Sequence, residues 1–81
     1  MSSFYAGIDL HSKDLLVCAI DEKGVRVKEK KIKNNIDHVL GFLEPFGKDT
    51  MIAVESTINW YWLVDSLMEA GFVVKLAQPL L

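Results

Sequence analysis

Residues 4–14 read FYAGIDLHSKD, a nearly continuous run of apolar and small residues interrupted by the carboxylate of Asp9. The run from Phe4 to Leu10 predicts a central strand covered on both faces, and LHSKD supplies the polar residues of a tight turn. LLVCAI follows, so residues 15–20 form a second predicted strand, and DEKG closes it with Gly24 suited to positive φ. Connections this short make antiparallel hairpins. The third strand is expected in VRVKEKKIK, residues 25–33, with Arg26, Lys28 and Lys30 on one face and Val25, Val27, Glu29 and Lys31 on the other. Lysines there read either as protection of a solvated edge strand or as a phosphate-contacting strip.

Downstream the period changes. From Asn35 onward Ile36, Val39, Leu40 and Leu43 fall on one helical stripe, with Asn34 or Asn35 available as the N-cap and Pro45 and Gly47 marking the end. DTMIAVE, residues 49–55, is a short buried strand. A second helix follows, with Trp60, Leu63, Val64, Leu67 and Met68 on its apolar stripe, Ser56 and Thr57 as capping residues, and Gly71 as its stop. Tyr61 and Trp62 are expected to turn away from that stripe toward a partner. FVVKLAQP, residues 72–79, is the last strand, ended by Pro79. Helices between strands imply right-handed parallel crossovers. The predicted fold is therefore α/β: a mixed five-stranded, ribonuclease H-like sheet of order 3-2-1-4-5, its first three strands antiparallel and helices between the later ones.

Composition bounds the function. Hydrophobic residues make up 51% of the 81 and charged residues 25%, the balance of a folded domain. A domain of this size buries only about 60% of its unfolded surface. The net charge of −2 gives no global attraction to nucleic acid, so a basic surface has to come from local segregation. A single cysteine, Cys18 in LLVCAI, makes no intramolecular disulfide and reads as a small buried hydrophobe. No apolar stretch approaches the roughly 18 residues of a membrane span, and no signal-type leader is visible, so the expected compartment is the cytoplasm.

The chemistry is expected at two carboxylates. Asp9 lies at the later end of the first strand and Glu55 at the last position of TMIAVE. If those strands are adjacent and parallel, both carboxylates emerge near one edge of the sheet. Such a pair suits Mg²⁺ or Mn²⁺, since Mg²⁺ takes one or two protein carboxylates plus phosphate and water. Phosphate chemistry by in-line displacement is then the leading class, for which two carboxylates are an incomplete set. The competing readings are local: Asp9 accepting hydrogen bonds from the LHSKD turn, and Glu55 facing the N-terminus of the following helix. His11 and Ser12 read as turn residues rather than ligand and nucleophile. His38 with Asp37 beside it reads as surface, and no HxxxH or CxxC spacing suggests zinc.

Three ordered segments, GIDLHSK, VESTINWYWLVDSLMEAGF and VVKLAQP, resemble the N-terminal part of bacterial insertion-sequence transposases of the DEDD type, whose catalytic domain is similar to the Holliday-junction resolvase RuvC. The resemblance spans nearly all of residues 1–81. It implies a ribonuclease H-like fold and divalent-metal-dependent DNA cleavage and joining in transposition, with Asp9 as the first acidic residue and Glu55 as the second. Family members carry two further aspartates beyond VVKLAQP and a separate region with a proposed catalytic serine. The 81 residues are thus expected to be the N-terminal part of a RuvC-like catalytic domain, inactive alone and binding metal weakly. The implied partners are DNA and a structured RNA from the mobile element. Apolar sheet surface left uncovered by the missing part predicts self-association into a homo-oligomer, and no membrane association is expected.

Two other classes compete. An actin-like or sugar-kinase-type ATPase opens with a similar strand and aspartate but needs a glycine-bearing phosphate loop, which LHSKD lacks. A noncatalytic nucleic-acid-binding or oligomerising module would use Arg26, Lys28 and Lys30 for backbone contacts.

Overall fold

The computed structural model describes residues 4–11, 13–55 and 61–77. Its elements are β1 (Tyr5–Leu10), β2 (Asp14–Ile20), β3 (Arg26–Lys33), α1 (Ile36–Leu43), a 3-10 turn (Glu44–Phe46), β4 (Met51–Glu55), α2 (Tyr61–Glu69) and β5 (Val73–Ala77). They form one mixed sheet of order β3-β2-β1-β4-β5. β1 pairs antiparallel with β2 and β2 antiparallel with β3, while β4 runs parallel to both β1 and β5. This is the predicted order and polarity.

Local chemistry sets the connections. Asp21 Oδ1 accepts the backbone N–H groups of Lys23 and Val25, each at 2.9 Å, and Gly24 takes φ +82°, which closes the β2–β3 hairpin at a conformation other residues adopt only with strain. The side chain of Asn35 accepts the Asp37 N–H at 2.8 Å and caps α1. At the other end of α1, the 3-10 turn carries Pro45 in its first turn, and Gly47 ends it. Thr50 is the buried polar residue among those described, and its hydroxyl donates to the Phe46 carbonyl at 3.1 Å, so it is buried without an unmet donor.

The core lies on one side of the sheet. Burial alternates along every inner strand, so Ala6, Ile8 and Leu10 of β1, Leu15, Val17 and Ala19 of β2, and Ile52 and Val54 of β4 all point toward the helices. α1 contributes Val39, Phe42 and Leu43, and α2 contributes Leu63 and Leu67. The sequence predicts β1 covered on both faces; instead Tyr5, Gly7 and Asp9 are exposed, because both helices pack on the same side. The apolar character of the second face belongs to a surface with nothing on it among the described residues.

The α2 stripe also needs correction. Met68, expected in the core, is 58% exposed, whereas Trp62, expected to face away, is half-buried and packs against the core. Tyr61 does turn outward. The helical period centred on Leu63 and Leu67 carries Met68 past the edge of the apolar face. The assignments made to Ser12, Ser56, Thr57, Trp60 and Pro79 lie outside the described residues.

Candidate functional site

Asp9 is exposed because Ile8 and Leu10 are buried, and Glu55 is exposed because Val54 is buried. Period-two alternation thus puts both carboxylates on the face opposite the helices. Parallel pairing then sets their register: Asp9 stands directly opposite Glu55 on the adjacent strand. Neighbouring strands are about 4.8 Å apart, so the two side chains leave the sheet side by side. Their juxtaposition is what the sequence anticipates, decided here by register.

The other residues of this face fall into rows across the sheet. In the carboxylate row, Leu16 of β2 lies opposite Asp9, and Lys31 of β3 opposite Leu16. The next row runs Glu29, Cys18, Gly7, Ala53, Lys75, so small side chains on the three inner strands floor a shallow concavity of about 320 Å³ beside the carboxylates. Beyond it Ile20, Tyr5 and Met51 form an apolar border. Cys18, expected to be buried, is half-exposed on this floor because β2 alternates and no described residue covers its outward side. Its alternation with buried Val17 and Ala19 is the signal that places it there.

Arg26 also departs from expectation. A β-bulge at the β2–β3 pair shifts the register between Ala19 and Ile20, so that Lys28 lies opposite Ala19 but Arg26 lies opposite Ile20. The extra residue, Val27, reverses the facing of everything before it. Arg26 therefore joins the carboxylate face, where its Nη1 is 3.0 Å from Glu29 Oε2, while Lys28 and Lys30 stay on the helix-bearing face. The three cations do not form one strip.

At the β1–β2 turn the His11 N–H donates to the Asp14 carbonyl at 2.9 Å, and Asn34 Nδ2 donates to the His11 carbonyl at 2.8 Å. The His11 ring reaches back to Asp9, with Nε2 3.3 Å from Oδ2. Both side chains are more than half exposed, so this is a solvated contact that orients the carboxylate rather than neutralising it in a buried pair. His38 is exposed on α1, as the sequence suggests. A larger hollow, about 460 Å³, lies elsewhere, between α1 and the turn before β5, where Lys48 Nζ donates to the Ala70 carbonyl and sits 4.9 Å from the Phe72 ring.

Among the described residues no group of three or more His, Cys, Asp or Glu side chains is arranged to hold a metal ion. The donor set that does exist, two adjacent solvent-reaching carboxylates, fits the protein-supplied part of a hard-cation site whose other positions go to water or phosphate. No protein-family model matches the chain, and no curated protein matches it significantly. No helix among the described residues is long and apolar enough to cross a membrane.

Proposed function

We infer that this chain is the N-terminal part of a DEDD-type insertion-sequence transposase catalytic domain and supplies the first two carboxylates of its divalent-metal site. The observation that carries the reading is the register of Asp9 against Glu55 on the uncovered face of a 3-2-1-4-5 sheet. An acidic pair in the core would need charge compensation. On an open face beside small residues, it can meet a solvated ion and a bulky polyanion together.

The residues divide the work as follows. Asp9 and Glu55 present hard oxygen ligands from neighbouring parallel strands. Gly7, Cys18 and Ala53 keep the floor low enough for a nucleic-acid backbone to approach. His11 holds the Asp9 carboxylate at its outer side. When bound, Mg²⁺ or Mn²⁺ supplies positive charge to the phosphoryl group undergoing in-line displacement. Two carboxylates are fewer than that displacement needs, so strand cleavage and joining of DNA belong to a site completed by further acidic residues. The same reading makes DNA, and a structured RNA of the mobile element, the partners of the whole enzyme.

Paramagnetic Mn²⁺ tests the site without requiring activity. Titrated into labelled protein, it is expected to broaden the amide signals of residues around Asp9 and Glu55, weakly and at high concentration, and Asp9→Asn or Glu55→Gln is expected to abolish the effect. Broadening centred elsewhere, or unchanged in both variants, would overturn the metal assignment. The purified 81-residue chain is expected not to cleave DNA in Mg²⁺. Cleavage that Asp9→Ala abolishes would show that the pair suffices.

A further inference from the structure

Six of the nine Lys and Arg residues lie between Lys23 and Lys33, and the structure sorts those of β3 by face. On the carboxylate face Arg26 pairs with Glu29 at 3.0 Å and Lys31 with Asp14 at 3.6 Å, while Lys33, opposite Asp14, shares that face. On the helix-bearing face Lys28 and Lys30 lie opposite Ala19 and Val17, and the described residues offer neither an ion-pair partner. α1 covers this end of the sheet only in part. Ile32 is buried against it, while Lys28 and Lys30 stand exposed along a groove of about 280 Å³ between β3 and α1.

The groove has a definite chemistry. Lys28 Nζ lies 5.0 Å from the centre of the Phe42 ring, which holds the ammonium over the floor. His38 and Gly41 line the α1 side. Asp37 also lines it, a single carboxylate against two lysines. Gly41 sits inside α1, where glycine costs up to about 1 kcal/mol relative to alanine, yet a Cβ there would meet nothing within 4 Å. Packing does not require this glycine; its lack of a side chain keeps the groove wall open.

We propose that the β3–α1 groove binds the phosphodiester backbone of a nucleic-acid strand through Lys28 and Lys30, with His38 as a further donor. Two residues apart on one strand, the lysines are spaced roughly 6.7 Å along it, close to the separation of successive phosphates in a nucleic-acid chain. The groove and the Asp9–Glu55 pair are on opposite faces of the sheet. The strand held here is therefore a different segment from one lying at the carboxylates, and the groove does not depend on their role.

Fluorescence anisotropy with labelled single-stranded DNA and RNA oligonucleotides, between about 50 and 200 mM salt, tests this directly. Lys28→Gln combined with Lys30→Gln is expected to lower the slope of log affinity against log salt by about 1.4, two phosphate contacts at ~0.7 each. Gly41→Glu places a carboxylate in the groove at a helix-favouring position and is expected to weaken binding with the thermal melt preserved. Lys75→Gln, on the other face, is expected to leave the slope unchanged. An unchanged slope in the double variant, an equal fall with Lys75→Gln, failure of the wild-type chain to bind either oligonucleotide, or preferential binding of polyglutamate would each overturn the proposal.

Discussion

Asp9 and Glu55 show how much one residue's facing depends on its neighbours. Neither carboxylate is exposed by its own hydrophilicity alone; Ile8, Leu10 and Val54 are drawn into the core, and alternation sends the carboxylates the other way. Glycines obey a similar contextual rule. At Gly24, with φ +82°, a Cβ is strained whatever space surrounds it, whereas Gly41 lies in an α-helix with open space at its Cβ position. Gly24→Ala is therefore expected to destabilise the fold by about 1–2 kcal/mol, and Gly41→Ala to stabilise it by up to about 1 kcal/mol. Urea unfolding of the two variants checks the opposite signs; two shifts in the same direction would contradict the turn and helix assignments.

At the scale of elements, the β-bulge and the phase of α2 are the two places where spacing alone misleads. Arg26, Lys28 and Lys30 alternate in sequence as one strip, but an unpaired Val27 divides them between faces. Nothing in VRVKEKKIK marks the bulge, because both registers leave cations and valines at a solvated edge, and register is weakly specified where no apolar face is at stake. In α2, Leu67 and Met68 are neighbours on the same expected stripe, yet one is fully buried and the other 58% exposed. Leu67→Ala is expected to cost about 2–5 kcal/mol, and Met68→Ala to stay within about 0.5 kcal/mol. Comparable losses from the two substitutions in thermal or urea melts would restore the wider stripe.

At the scale of the molecule, the helices cover one face of the sheet and, among the described residues, nothing covers the other. The open face combines Tyr5, Met51 and Val73, each more than a third exposed, with half-buried Ile20, Leu16 and Cys18. Apolar surface of this kind favours association. Sedimentation is expected to show self-association at micromolar concentration that Tyr5→Lys with Val73→Lys weakens; a stable monomer with the wild-type residues exposed would count against it. Element order, strand polarity and the sheet order were legible in the sequence, because hydrophobic period and connection length depend on near neighbours along the chain. So was the candidacy of Asp9 and Glu55, each a carboxylate ending an apolar strand. Only the tertiary structure decided that the two stand in register, that Cys18 floors their surface, that Arg26 leaves Lys28 and Lys30, and that both described helices pack on the same face of the sheet. Those outcomes depend on pairing and layering between distant segments. Local period is indifferent to them, since an apolar strand reads the same whether one of its faces or both are covered.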